Sequence, residues 1–273
     1  MRRETLLPAL ALTLVTTAGA VTIGTTDDDT APAAGHAPRT LLDTVPRRGE
    51  LRVCTTGDYR PFSYLDPATG GYTGIDIDMA EHLGAGLGVQ TRFVPTTWAT
   101  LVDDLTSGAC DIGMGGISVT LPRAREAYFS TPYLTDGKAA IARCADADAY
   151  QSLEAIDQPG VRVIVNPGGT NEAFVRANIH RATVVPHPDN NTIFEEIVAG
   201  RADVMITDAS ETEYQAAIHP ELCALNPDDP FTFAEKAYLL PRGDEEFKAY
   251  VDQWVHLATN DGTYDTIATP WQP

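Results

Sequence analysis

The chain has 273 residues, 43% of them hydrophobic, enough to bury a substantial core and too much for a wholly disordered chain. Its 38 acids against 19 bases leave a formal charge of −19, which excludes the basic surface a nucleic acid partner needs and speaks for solubility instead. The length accommodates one large domain or two lobes of ordinary size.

The first 20 residues, MRRETLLPALALTLVTTAGA, place two arginines before an apolar stretch that ends in small residues. That order predicts a secretory signal peptide over 1–20, cleaved after Ala20. A signal anchor is the competing reading, because VTIG prolongs the apolar run; no cysteine near the cleavage point supports a lipid anchor. Residues 21–38 are small, polar and proline-containing and read as a flexible leader. An exported chain, secreted or periplasmic and without membrane insertion in its mature form, is the resulting expectation.

Beyond the leader, helix and strand patterns alternate. A strand is predicted at Leu51–Thr55, a helix in GIDIDMAEHLGAGLG with Asp78 near its start, and a strand in QTRFVPT. A helix in TWATLVDDLTSG, stopped by Gly108, and a short buried strand in DIGMGG follow. The rhythm restarts with a strand at 161–165, a helix from about 171, a strand at 183–185, a helix at 191–199, a strand at 203–206 and a helix at 208–217. The tail supplies one more strand and two helices. Two successive α/β units with elements left over predict an α/β, two-lobed fold whose chain returns to its first lobe. Lobe 1 is expected over 39–141 and 236–273 and lobe 2 over 142–235, with crossings near 140–144 and 234–238.

Export changes the reading of Cys54, Cys110, Cys144 and Cys223. No C-x-x-C pair is present, so no zinc site is expected. Cys144 and Cys223 fall in the same segment and are expected to form a disulfide. Cys54 and Cys110 lie in or beside apolar strands, where buried free thiols are expected and a second disulfide is the alternative. The six histidines have no H-E-x-x-H or paired ligand spacing, so no metal is expected, and His187 in PHPDNN reads as a loop residue. No G-x-S-x-G nucleophile motif and no P-loop ending occurs.

The stretch IVNPGGTNEAF, residues 164–174, reads as a strand, a Pro-Gly-Gly turn and a helix start that carries Glu172. A helix start favours anions, and a glutamate there is ordinarily a capping or dipole-compensating residue.

LRVCTTGDYRPFSY, GGYTGIDIDMAEHL, GGISVTLPRAREAYFSTPYL and ITDASE resemble the periplasmic amino-acid-binding proteins of ABC transporters. PYLTDGK, IDQPGV, IVNPGGTNEAF, HPDNNTIF, ELCALNP, FAEKAYLLPR and YVDQWVH, over roughly residues 40 to 260, resemble more narrowly the exported cyclohexadienyl dehydratases built on that fold. The likeness implies the type II periplasmic-binding-protein fold with a ligand cleft between the lobes. It also implies a small-molecule partner: arogenate, prephenate or an amino acid. The oligomeric state is not legible. The alternative within the same fold is a non-catalytic amino-acid-binding protein that serves an ABC permease.

Site roles follow from the resemblance. Arg123 would clamp the ligand's α-carboxylate, since a guanidinium fits that planar group and stays charged when desolvated. Ser118 and the Gly116 backbone would add hydrogen bonds to it, and Thr170 would reach it from the second lobe. Asp208 matches the acid that takes an α-ammonium, which would favour arogenate; as a helix N-cap it needs no ligand. Tyr59, Phe62 and Trp98 are candidate ring contacts, although any one of them alone is more often core packing. Asn171 would orient the ring carboxylate or hydroxyl, and Lys138 is placed near the interlobe region.

In arogenate and prephenate a ring hydroxyl lies para to a ring carboxylate, and aromatisation expels both. Hydroxide is a poor leaving group, so a general acid must protonate it, and Glu172 is the candidate; aromatisation drives the reaction, so the resemblance implies no metal or organic cofactor. That role calls for a raised pKa, which burial in a closed cleft must supply against the helix N-terminus.

Overall fold

The computed structural model describes residues 40–271, so the signal and leader expected over 1–20 and 21–38 lie outside the described residues. Two five-stranded sheets carry the two α/β units. In the first, Glu50–Thr55 runs parallel to Gln90–Pro95 on one side and to Ile112–Gly113 on the other. Leu239–Leu240 then joins antiparallel between Ile112–Gly113 and Tyr128–Phe129, which returns the chain tail to the first lobe as expected. The second sheet has Arg162–Val165 parallel to Thr183–Pro186 and Val204–Asp208. Lys138–Arg143 pairs antiparallel with both Val204–Asp208 and Leu222–Leu225.

The first crossing differs from the expectation. The connection between lobes is the antiparallel ribbon Leu134–Asp136 with Ala234–Lys236, so the chain leaves the first lobe before residue 138 rather than at 140–144. A boundary at 141 would cut through Lys138–Arg143, whose Ala-rich interior is buried in the second sheet between Val204–Asp208 and Leu222–Leu225. Alanine has low strand propensity, and the strand is recognisable only by what flanks it.

Helix Glu245–Asn260 shows how the tail is held. Asp244 caps it by accepting from the Phe247 amide and also accepts from Thr40, which starts the described chain. Phe247, Val251, Trp254, Val255 and Ala258 form its buried stripe against the first sheet, and each large side chain there contributes about 1.5–3 kcal/mol of burial.

Both cysteine pairs are bonded. Cys144–Cys223, expected, joins adjacent antiparallel strand ends with a Cα separation of 4.9 Å. The free thiols expected at Cys54 and Cys110 are instead a second disulfide at 5.6 Å. Cys110 precedes the strand Ile112–Gly113 that pairs with Val53 and Cys54, and its Cα separation from Cys54 is in the ordinary disulfide range. Each bridge lies within one lobe.

Buried Asp76 shapes the floor of the interlobe cleft. It accepts hydrogen bonds from the Gly115 and Gly116 amides and from the Tyr133 and Tyr238 hydroxyls. Burial raises its pKa to about 6 despite those four donors. Gly116 has φ 71°, and a Cβ there would stand 2.6 Å from the rings of Tyr59 and Phe62, so only glycine lets the loop pass beneath them.

Candidate functional site

A narrow cleft lies between the lobes. The first lobe lines it with Tyr59, Trp98, Gly116 and Ser118, and the second with Asn166, Gly169, Thr170, Asn171, Asn190 and Asp208. The Pro-Gly-Gly turn explains the close approach: a Cβ on Gly168 would lie 3.0 Å from Ala99, and one on Gly169 3.5 Å from Trp98.

Asp208 ends a fully buried strand and is the electrostatic centre. Its Oδ1 accepts from Lys138 Nζ at 2.7 Å, and its Oδ2 accepts from Lys236 Nζ and from the Tyr59 hydroxyl, both at 2.5 Å. Burial alone would raise its pKa, but the two ammonium groups win and hold the carboxyl well below its ordinary value. The expectation that Asp208 takes an α-ammonium is corrected by this geometry: both oxygens are already engaged. Tyr59 stays a phenol, pushed well above its ordinary value by burial and by Asp208.

Lys138 is buried and also donates to Thr170 Oγ1 at 3.1 Å and to Asn171 Oδ1. Desolvation lowers its pKa, while Asp208 opposes that shift. Its expected place near the interlobe region is therefore the site itself. Lys236, 0% exposed, was not anticipated. It donates to Ser118 Oγ at 3.0 Å and lies 3.8 Å from buried Asp136. The sequence carried no clear signal for it: Lys236 follows Glu235 at the head of the apolar run KAYLL, where a lysine also suits the surface.

Arg123 lies on the short helix Leu121–Glu126, donates from Nη1 to the Ser118 carbonyl at 3.0 Å, and stands 5.9 Å over the Trp98 ring. Desolvation lowers its pKa, and no carboxylate pairs with it among the described residues. Trp98 donates from Nε1 to Asp58 Oδ1 at 3.0 Å and meets Tyr59 edge-on at 5.4 Å. Phe62 does not line the cleft; it stacks behind Tyr59 at 5.7 Å in the first-lobe core. The Gly116 amide, expected to serve a ligand, is committed to Asp76 at 2.6 Å.

Glu172 departs from the expectation. Its Oε2 accepts from the Gly168 amide at 2.7 Å and its Oε1 from Arg176, with the side chain 18% exposed and beside the cleft rather than lining it. The Gly168 hydrogen bond, then Arg176, pull its pKa below the ordinary glutamate value, so the raised pKa expected of a general acid is not found. A second glutamate has that property. Glu211 is fully buried and desolvation raises it to about 8, while its oxygens accept from Asn190 and Thr207.

A family model described as bacterial extracellular solute-binding proteins, family 3, matches residues 51–273. The chain belongs to that family. Over 232 residues, 85% of this chain and 86% of the relative, it is 55% identical to the cyclohexadienyl dehydratase of Pseudomonas aeruginosa. It is 26% identical to the L-cystine-binding protein TcyJ of Escherichia coli, with 85% of each chain covered. Among solved structures, an ancestral amino acid-binding protein described as a precursor of cyclohexadienyl dehydratase has a TM-score of 0.79 at 36% identity, covering 86% of this chain and 100% of that one. An ancestral cyclohexadienyl dehydratase has a TM-score of 0.55 at 51% identity, covering 86% and 98%. As a member of the family 3 solute-binding proteins the chain has the type II two-lobed fold and an extracytoplasmic location.

Proposed function

We propose that the chain is an exported cyclohexadienyl dehydratase, a carbon–oxygen lyase that converts prephenate to phenylpyruvate and arogenate to phenylalanine. In each case the ring loses carbon dioxide and water. The observation that carries the reading is the engagement of Asp208 by Lys138 and Lys236. An amino-acid receptor of this fold keeps that carboxylate free for an α-ammonium; here two lysines take the ammonium's place. With Arg123 added, three cations stand against the carboxylates of Asp208 and Asp136, an excess that favours an anionic ligand. The resemblance to a dehydratase at 55% identity supports the same reading.

The chemistry is modest. Arg123 and the lysines hold the two carboxylates, Tyr59 and Trp98 flank the ring, and a proton must reach the departing hydroxyl. Glu172 is the donor in this reading, one residue from Asn171 in the cleft wall. To act, its side chain must leave Gly168 and Arg176 and acquire a proton as the substrate fills the cleft. Loss of those hydrogen bonds and exclusion of water both raise its pKa. Aromatisation supplies the driving force, and the ring carboxylate leaves as carbon dioxide. The keto acid is the better substrate, because Asp208 has no free oxygen for the ammonium of arogenate.

The test pairs calorimetry with product detection on the secreted or periplasmic protein after its signal peptide has been removed. Phenylpyruvate formed from prephenate, with no tight binding of proteinogenic amino acids, supports the enzyme. Tight amino-acid binding without product would make it a transport receptor.

A further inference from the structure

Asn190 opens a 3-10 turn, Asn190–Thr192, in the second lobe and is 2% exposed. Its Nδ2 donates to the Asp58 carbonyl of the first lobe at 2.9 Å and to Glu211 Oε1 at 3.0 Å. A peptide carbonyl only accepts, so the amide cannot be turned over without losing that bond. Its Oδ1 is thereby aimed away from both partners, and it has no hydrogen-bond partner although the residue lines the cleft. A buried amide oxygen left in this state is costly.

Several charged and amide acceptors at or beside the cleft are occupied. Both oxygens of Asp208, the Asn171 oxygen and Asp58 Oδ1 receive hydrogen bonds from Lys138, Lys236, Tyr59 or Trp98. Among the residues lining the cleft, Asn190 offers a ligand hydrogen-bond donor a buried acceptor that has no partner of its own. We propose that Asn190 Oδ1 is the acceptor for a ligand hydroxyl, with Glu211 and the Asp58 carbonyl holding its amide in place. Asn190 would then separate a hydroxyl-bearing ring acid from its dehydrated product. A hydroxyl suits it better than an ammonium, because the oxygen carries no formal charge and burial keeps Glu211 behind it in its neutral form. Assigning that hydroxyl to the substrate ring rests on the dehydratase reading. In that setting the same acceptor favours product release, since the aromatic product leaves it unpaired.

The test uses 4-hydroxyphenylpyruvate and phenylpyruvate, which differ only in the para hydroxyl, titrated calorimetrically into the wild type, Asn190→Ala, Asn190→Leu and Asn191→Ala. The wild type should bind the hydroxylated acid roughly tenfold more tightly, the value of about one hydrogen bond to a buried acceptor. Asn191→Ala, in the same turn, should keep that ratio, whereas either Asn190 variant that melts cooperatively should bring it to about one. Equal affinity for the pair in the wild type, binding of neither acid, or an unchanged ratio in an Asn190 variant would overturn the assignment. Should both variants fail to fold, equal wild-type affinities would still overturn the assignment, and Asn166→Ala, which should keep the wild-type ratio, separates Asn190 from the other amide of the cleft wall. Prephenate turnover by the wild type reads the dehydratase function separately: discrimination without turnover keeps Asn190 and removes the enzyme, and the reverse result does the opposite.

Discussion

Lys236 Nζ lies 2.5 Å from Asp208 Oδ2, joining the return crossing to the end of the central strand of the second sheet. Both side chains are buried, and Lys138 holds the other oxygen of the same carboxylate at 2.7 Å. The aspartate expected to recognise an amino acid is thus part of a cationic floor.

Lys236→Met should free one oxygen of Asp208 for an ammonium while removing a cation from the cleft. Prephenate kcat/KM is expected to fall about tenfold or more and arogenate kcat/KM to fall less, so their ratio moves toward arogenate. Steady-state kinetics on both substrates checks it; an unchanged ratio would show that Asp208 does not read the ligand. Lys138 and Tyr59 remain on Asp208, so stability should drop by less than the 3–5 kcal/mol typical of a broken buried pair.

Glu172→Gln should lower prephenate turnover by roughly 10²–10⁴-fold while phenylpyruvate binding changes little. Arg176→Ala gives a subtler readout. Arg176 helps hold the Glu172 pKa down, so its removal raises that pKa. An acid must be protonated to act, and the alkaline limb of the kcat/KM profile should therefore move to higher pH. A limb that stays in place in Arg176→Ala would argue for another proton donor.

Glu211 makes stability depend on pH with a defined sign. Its folded pKa, about 8, exceeds the ordinary glutamate value of roughly 4.3, so the folded chain holds this proton more tightly than the unfolded one. The associated stability is present in full below the unfolded pKa and is lost as pH rises toward about 8. Thermal melts should show Tm declining between pH 5 and 9, and Glu211→Gln should flatten that decline.

The disulfides close loops with sequence separations of 56 and 79 residues. In the chain-entropy account each is worth roughly 4 kcal/mol. Reduction with dithiothreitol should lower Tm by many degrees, and Cys54→Ser with Cys110→Ser should do so even while Cys144–Cys223 remains. An unchanged Tm in that double variant would show that the first-lobe bridge contributes nothing.

Much of this molecule was legible in its sequence. Strand Arg162–Val165, helix Thr170–Asn178 and strand Val204–Asp208 announced themselves through apolar runs and a glycine turn, and the tail strand Leu239–Leu240 returned to the first sheet as the leftover elements required. The Ala-rich strand Lys138–Arg143 was missed because little in its side chains favours a strand until the second sheet forms around it. At the site, the positions of Tyr59, Trp98, Ser118, Thr170 and Asn171 in the cleft wall could be anticipated from motifs. Lys236 and Asn190 could not, because their significance lies in contacts across 28 and 132 positions of chain. The low Glu172 pKa was not legible either, because it comes from the Gly168 amide and from Arg176, one helical turn on, contacts that only the folded turn and helix create.

The central claim is tested most directly by incubating the purified mature protein with prephenate and with arogenate side by side and measuring kcat/KM for phenylpyruvate and phenylalanine formation. The account predicts product from both, with the larger kcat/KM for prephenate. No product from either, or a clear preference for arogenate, would contradict it.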